Sequence, residues 1–155
     1  LRGGKSQLYE GGIRVPLIIR WPRSIPSGSL CHQATHTTDF YPTLLAATHL
    51  QPPPGIPLDG KATLETWFNP QHPIKRDFLA WHYPLKRPHF LGGVSAGAIR
   101  SDFWKLIDNY ETNKLELYAL DQDPGETNNV AIARPAIATR LHQKLIRWRD
   151  EITSD

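Results

Sequence analysis

A single cysteine, Cys31, and no methionine occur among the 155 residues of this chain. One thiol cannot close an internal disulfide, so the fold is not a disulfide scaffold and the redox compartment stays open. Cys31 reads as a small buried or half-exposed thiol. No hydrophobic run approaches the roughly 18 residues of a membrane span, and nothing signal-like opens the chain. We therefore expect no membrane partner, with any targeting information lying upstream. The missing methionine, and a first residue already inside a motif, lead us to expect a piece of a longer chain or a cleaved product. No Asn-x-Ser/Thr acceptor is present, so glycosylation offers no hint. A dense basic stripe is missing too. Residues 1–76 hold eight Lys/Arg against four Asp/Glu, and residues 77–155 hold ten against eleven. That mild asymmetry suits an anionic ligand near the first half and argues against a nucleic-acid partner. His32 and His36 have metal-like spacing, but no further ligand is close and a metal site needs three or four.

What is abundant is punctuation. Fourteen prolines and eleven glycines imply many turns and a scaffold for a site rather than a helical bundle. Thr38–His49 reads as a helix, with Thr38 or Asp39 as cap, Pro42 in its first turn and Phe40, Tyr41, Leu44, Leu45 and Ala47 as its apolar face. Gln51–Pro57 is a rigid connector, and Thr63–Phe68 reads as a short helix. Polar Asn69–Arg76 reads as a boundary. Beyond it, Phe78–Tyr83, Ala96–Arg100, Phe103–Asn109 and Lys114–Leu120 alternate as strands, the last two forming a hairpin through Tyr110–Asn113. Pro135–Thr153 is an amphipathic helix whose stripe is Ile137, Leu141, Leu145, Trp148 and Ile152. Its arginines and lysine lie off that stripe, as on a solvated face.

The opening stretch Leu1–Trp21 carries the most chemistry. Lys5 lies between two glycine corners, Gly3-Gly4 and Gly11-Gly12, where backbone can bend and another group can approach. Ile13–Trp21 is an extended apolar run interrupted by Pro16, which predicts an edge or bulged strand. An ammonium in such a place suits the oxygens of a sulfate or phosphate ester. By residue type alone, a solvated lysine in a glycine-rich loop is the plainer reading. Glu10 and Arg14, four apart around the corner, are placed to pair; Arg2 either faces the same cleft or is solvated.

The run GGKSQLYEGGIRVPLIIRWP resembles the stretch that begins the last third of the type I, formylglycine-dependent sulfatases of the alkaline phosphatase superfamily. The resemblance continues through THTTDFYPTLLAATH, Leu58-Asp59-Gly60, Trp81-His82-Tyr83-Pro84, AIRSDFWKLID at Ala98–Asp108 and LELYALDQDPGETNNVA at Leu115–Ala131. Six pieces in the family's order cover nearly the whole chain. The resemblance implies an α/β, alkaline-phosphatase-like edge fragment over residues 1–70. An α+β C-terminal subdomain follows over 71–155, with a small antiparallel sheet and one long helix. It also implies a sulfuric ester hydrolase in which Lys5 binds the substrate sulfate, Asp39 is a structural cap, and the Trp81–Pro84 segment approaches the substrate pocket.

His82 is then a candidate to line the cleft, either bonding a sugar hydroxyl or protonating a leaving alkoxide. As an ordinary histidine it would instead satisfy its hydrogen bonds at the domain seam. Lys86 and Arg87 are candidates to grip further sulfates or carboxylates of a polyanionic sugar. The family's C/S-x-P-x-R nucleophile motif and its calcium ligands are not in this sequence, and Cys31 lacks the following Pro and Arg. Formylglycine and calcium are accordingly expected on the missing N-terminal part of the same protein, a partner of this chain alongside a sulfated small molecule or glycan. By itself the chain is expected to be inactive. A periplasmic, secreted or lysosome-like location follows from the resemblance. Two other readings stay open: a phospho- or phosphonate-ester hydrolase of the same superfamily, separable by the upstream nucleophile, and a non-catalytic module binding sugar anions through Lys5 and Lys86–His89.

Overall fold

The structure is a computed structural model and describes residues 1–154. Four strands, β1 (Leu79–Tyr83), β2 (Ala96–Ser101), β3 (Trp104–Asn109) and β4 (Lys114–Ala119), form one antiparallel sheet in chain order. The register pairs His82 with Gly97, Ala98 with Ile107 and Leu106 with Leu117. The helices are α1 (Glu10–Ile13), a single turn; α2 (Phe40–Ala47), entered through a 3-10 turn at Thr37–Asp39; α3 (Leu64–Phe68); and α4 (Pro135–Thr153). Pro135 opens α4, where a missing amide costs nothing.

Alternation along the strands gives the sheet two faces with different duties. One carries Ile99, Leu106 and Leu117, and α4 seals it with Ala138, Leu141 and Leu145. The predicted stripe on α4 is buried through its centre, but Ile152 is half exposed because the last turn runs past the core. The other face presents Ala96, Ala98, Ile107 and Tyr118, covered by Leu8 and Tyr9 of the opening segment. That opening segment, Leu1–Pro16, forms one compact unit with the chain from Asp77 onward, and Leu17–Arg76 forms a second.

The second unit is knotted by polar groups. Asp39 is wholly buried, accepts hydrogen bonds from the His36 and Lys61 amides, and pairs with Arg76 at 2.6 Å. Thr43 and Thr63 are buried beside it and bond each other at 3.1 Å. Asp39 stands at the N-cap of α2 but makes no side-chain cap bond to it; its carboxylate instead closes the preceding 3-10 turn on the His36 amide and joins three segments. His36 caps the same turn, its Nδ1 accepting from the Thr38 amide.

One expectation fails. Ile13 closes α1, and residues 14–20 belong to no strand. An apolar β-branched run sets which side chains alternate, but a strand also needs a ladder partner, and the four-stranded sheet supplies none. Val15 and Ile18 are therefore exposed, at 74% and 91%.

Candidate functional site

Lys5 sits at the tip of a loop whose two feet are fixed on the sheet. The first foot is Arg2. Its Nη1 donates to the Tyr118 hydroxyl at 2.7 Å and to the Glu126 carbonyl at 3.0 Å, while the guanidinium stacks 4.0 Å over the Tyr9 ring. The second foot is Glu10. Its carboxylate meets Lys105 Nζ at 2.9 Å, and its amide donates to Glu126 Oε2 at 2.6 Å. Lys105 also pairs with Glu126 Oε1 at 2.8 Å, and all three side chains are buried. The feet are tied to each other as well, since the Gly11 amide donates to the Arg2 carbonyl at 2.7 Å. A β-carbon at Gly12 would collide with the Gln7 and Gly4 carbonyl oxygens, so only glycine lets the loop close so tightly.

Tyr9 and Glu116 complete the support. Glu116 Oε2 accepts from the Tyr9 hydroxyl at 2.8 Å and from the Tyr118 hydroxyl at 2.6 Å. Burial alone would raise the Glu116 carboxyl, but those two hydroxyls and the Arg2 charge hold it below its ordinary value. The Tyr9 phenol is pushed up to about 12, first by burial and then by its bond to Glu116. Lys5 itself is exposed and has no hydrogen bond or ion pair among the described residues. A rigid loop thus offers an unpaired ammonium with three donors.

The β1–β2 loop lies against this one. Gln7 Nε2 donates to the Leu91 carbonyl at 3.1 Å, and Gly93 touches Ser6 so closely that no β-carbon would fit. Lys86 and Arg87, at the start of that loop, are exposed and unpaired among the described residues. A cavity of about 40 Å³, lined by Gln7, Tyr9, Val94, Asn109 and Glu116 among others, separates the loop from the sheet. The structure therefore brings the Lys5 loop together with the loop of Lys86 and Arg87.

His82 goes elsewhere. Trp81 packs on the face with Leu8 and Tyr9, and the next residue points the other way. The His82 Nδ1 lies 2.9 Å from the Tyr110 hydroxyl, with Arg149 of α4 stacked 5.4 Å over the Tyr110 ring. Burial, then the Arg149 charge, lowers its pKa. It sits on the α4 side of the sheet, away from the face that carries the Lys5 loop. The expected Glu10–Arg14 pair is present only at 3.8 Å; Glu10's main partner is Lys105. Among the described residues no group of three or more His, Cys, Asp or Glu side chains is placed to hold a metal ion.

Residues 4–151 match the family model described as N-sulphoglucosamine sulphohydrolase, C-terminal. This chain belongs to that sulfatase family. A sulfatase from Formosa agariphila is 33% identical over 163 residues, covering 96% of this chain and 29% of its own length. The N-acetylgalactosamine-6-sulfatase of Canis lupus familiaris is 32% identical over 108 residues, covering 70% of this chain and 20% of its own. Among solved structures, BT4656 in complex with its substrate D-glucosamine-2-N,6-O-disulfate superimposes with a TM-score of 0.78 at 26% identity, covering 95% of this chain and 30% of that one. Ps i-CgsB gives 0.82 at 26% identity, covering 96% and 31%. The sulfatase chain described here thus spans under a third of the length of these relatives. The four-stranded sheet with its long helix is the sulfatase C-terminal subdomain. Among the described residues no helix is long and apolar enough to cross a membrane.

Proposed function

We propose that the protein carrying this chain hydrolyses sulfate esters of sugars, and that Lys5 binds the sulfate oxygens. The observation that carries the reading is an unpaired ammonium held on a loop whose feet rest on Tyr118 and Lys105. Charge develops on the sulfuryl and leaving oxygens as the ester breaks, and a fixed donor that does not have to reorganise stabilises it most. Lys86 and Arg87, on the loop packed against Ser6 and Gln7, supply charge for a second anionic group of a sulfated sugar. BT4656 has D-glucosamine-2-N,6-O-disulfate as its substrate, and the canine relative is an N-acetylgalactosamine-6-sulfatase by name, which supports sulfated amino sugars over aryl esters.

The formylglycine nucleophile and the calcium ligands belong, on this reading, to the rest of the polypeptide. That polypeptide is the first partner of this chain. The apolar side chains that Leu17–Arg76 turns outward, among them Leu30, Leu44, Leu50 and Ile56, support such a covering surface. The setting is an extracytoplasmic compartment: periplasmic, secreted or lysosome-like. The test is Lys5→Ala in the full-length protein, assayed on a sulfated monosaccharide with the fold checked by circular dichroism. A loss of about a hundredfold or more in kcat/KM is expected, the scale of removing one transition-state donor. Near-normal activity in a folded variant overturns the role of Lys5.

A further inference from the structure

We propose that Lys105 is a positioning residue for the sulfate site, acting through the loop that carries Lys5. The inference rests on the reading of Lys5 as the sulfate-binding group. Three observations support it. Lys105 is wholly buried on β3, and its ammonium is gripped by two carboxylates, Glu10 at 2.9 Å and Glu126 at 2.8 Å. Both feet of the Lys5 loop converge on one of those acids: Arg2 donates to the Glu126 carbonyl, and the Glu10 amide donates to the Glu126 carboxylate. Glu126 holds a left-handed backbone, with φ +54°, although it is not glycine. A buried residue keeps such a conformation only where its surroundings fix it, and here Lys105 and the Glu10 amide hold the carboxylate while Arg2 and the Asp123 carbonyl hold the backbone.

The consequence is mechanical. Two carboxylates share one buried ammonium, and the next cation, Arg14, reaches Glu10 only at 3.8 Å, so the cluster depends on Lys105 staying between the acids. Without Lys105 the two acids repel, Glu10 moves off β3, and the second foot of the loop rises with it. Lys5 then meets the sulfate from a displaced position. Misplacement of a binding group by about 1 Å is enough to cost on the order of a hundredfold in rate. Gln7 to Leu91 and Arg2 to Tyr118 hold the other side of the loop. Beside Glu10 the Tyr9 hydroxyl stays on Glu116 and the Gly11 amide on the Arg2 carbonyl, so the loop stays attached while its second foot shifts.

A double-mutant cycle on the full-length protein tests the idea, with inorganic sulfate as probe and titration calorimetry as readout. Wild type, Lys5→Ala, Lys105→Met and the double variant are compared below their unfolding temperatures. Lys105→Met is expected to weaken sulfate binding about tenfold, and to add no further weakening once Lys5 is alanine, because the two substitutions act through the same ammonium. Lys105→Arg, which keeps a cation between the acids, is expected to recover most of the affinity. If Lys105→Met does not fold, the nearly isosteric Glu10→Gln carries the same cycle. Unchanged sulfate affinity in the folded variant, or full additivity with Lys5→Ala, overturns the positioning role and leaves Lys105 a stability residue. If Lys5→Ala alone leaves sulfate binding intact, the reading of Lys5 falls first, and this inference with it.

Discussion

From Asp77 onward, together with Leu1–Pro16, the chain buries leucine and isoleucine between a sheet and a helix. Leu17–Arg76 differs: its buried side chains are Asp39, Thr43, Thr63 and Thr66, while Leu17, Leu30, Leu44 and Leu50 are exposed and Leu45, Leu58 and Leu64 only half-buried. The contrast separates two ways of specifying a fold. An apolar core gains free energy in proportion to the area it removes from water and tolerates approximate shapes. A polar knot gains little net energy per bond, and loses several kcal/mol when one member is left without its partner. The first unit therefore has a stable platform on which to fix a site, and the second is made definite by a few bonds while much of its apolar surface stays exposed.

Breaking the polar knot is the strongest way to probe that difference. Asp39→Ala leaves the Arg76 guanidinium without its partner, and is expected to destabilise Leu17–Arg76 by about 3–5 kcal/mol. Hydrogen exchange should show amide protection lost there and retained in β1–β4; loss spread evenly over both units would erase the distinction. A smaller effect is expected at Tyr9. Tyr9→Phe removes one hydrogen bond to a carboxylate, about 1.5 kcal/mol. The same residue sets an alkaline limit. Its phenol ionises near 10 in the unfolded chain and at about 12 in the fold. Between those values the unfolded form releases a proton that the folded form keeps, so stability falls as pH rises through that window. Thermal unfolding measured from pH 8 to 12 should show a shallower decline for Tyr9→Phe than for wild type. The smallest effect is expected at Leu44→Ser, where a half-exposed leucine changes stability of this chain by no more than about 0.5 kcal/mol. A cost of 2 kcal/mol or more would mean that this surface is already buried, and that the contrast between the units is false.

The elements were legible where periodicity is local. The strands after Asp77 fall within a residue of the expected bounds, and α4 spans Pro135–Thr153 as its stripe requires. What the sequence concealed was pairing at long range. Nothing beside Glu10 announces that its partner is Lys105, and the closer Arg14 offers a more obvious pair. Lys105 reads as one more alternating residue of a strand, although a lysine between Trp104 and Leu106 on a sheet covered on both faces was a signal that some acid awaits it. The side taken by His82 was legible in principle: alternation puts it opposite Trp81, so both cannot face the Lys5 loop. Ile13–Trp21 misled because side-chain pattern carries no information about a ladder partner.

The feet of the Lys5 loop reach very far along the chain. Glu10 takes its partners 95 and 116 residues away, at Lys105 and Glu126. During synthesis the lysine therefore leaves the ribosome long before its scaffold exists, and the loop waits unformed until the turn after β4 emerges. A product truncated before Glu126 would carry the Lys5 loop without the partners that hold its feet.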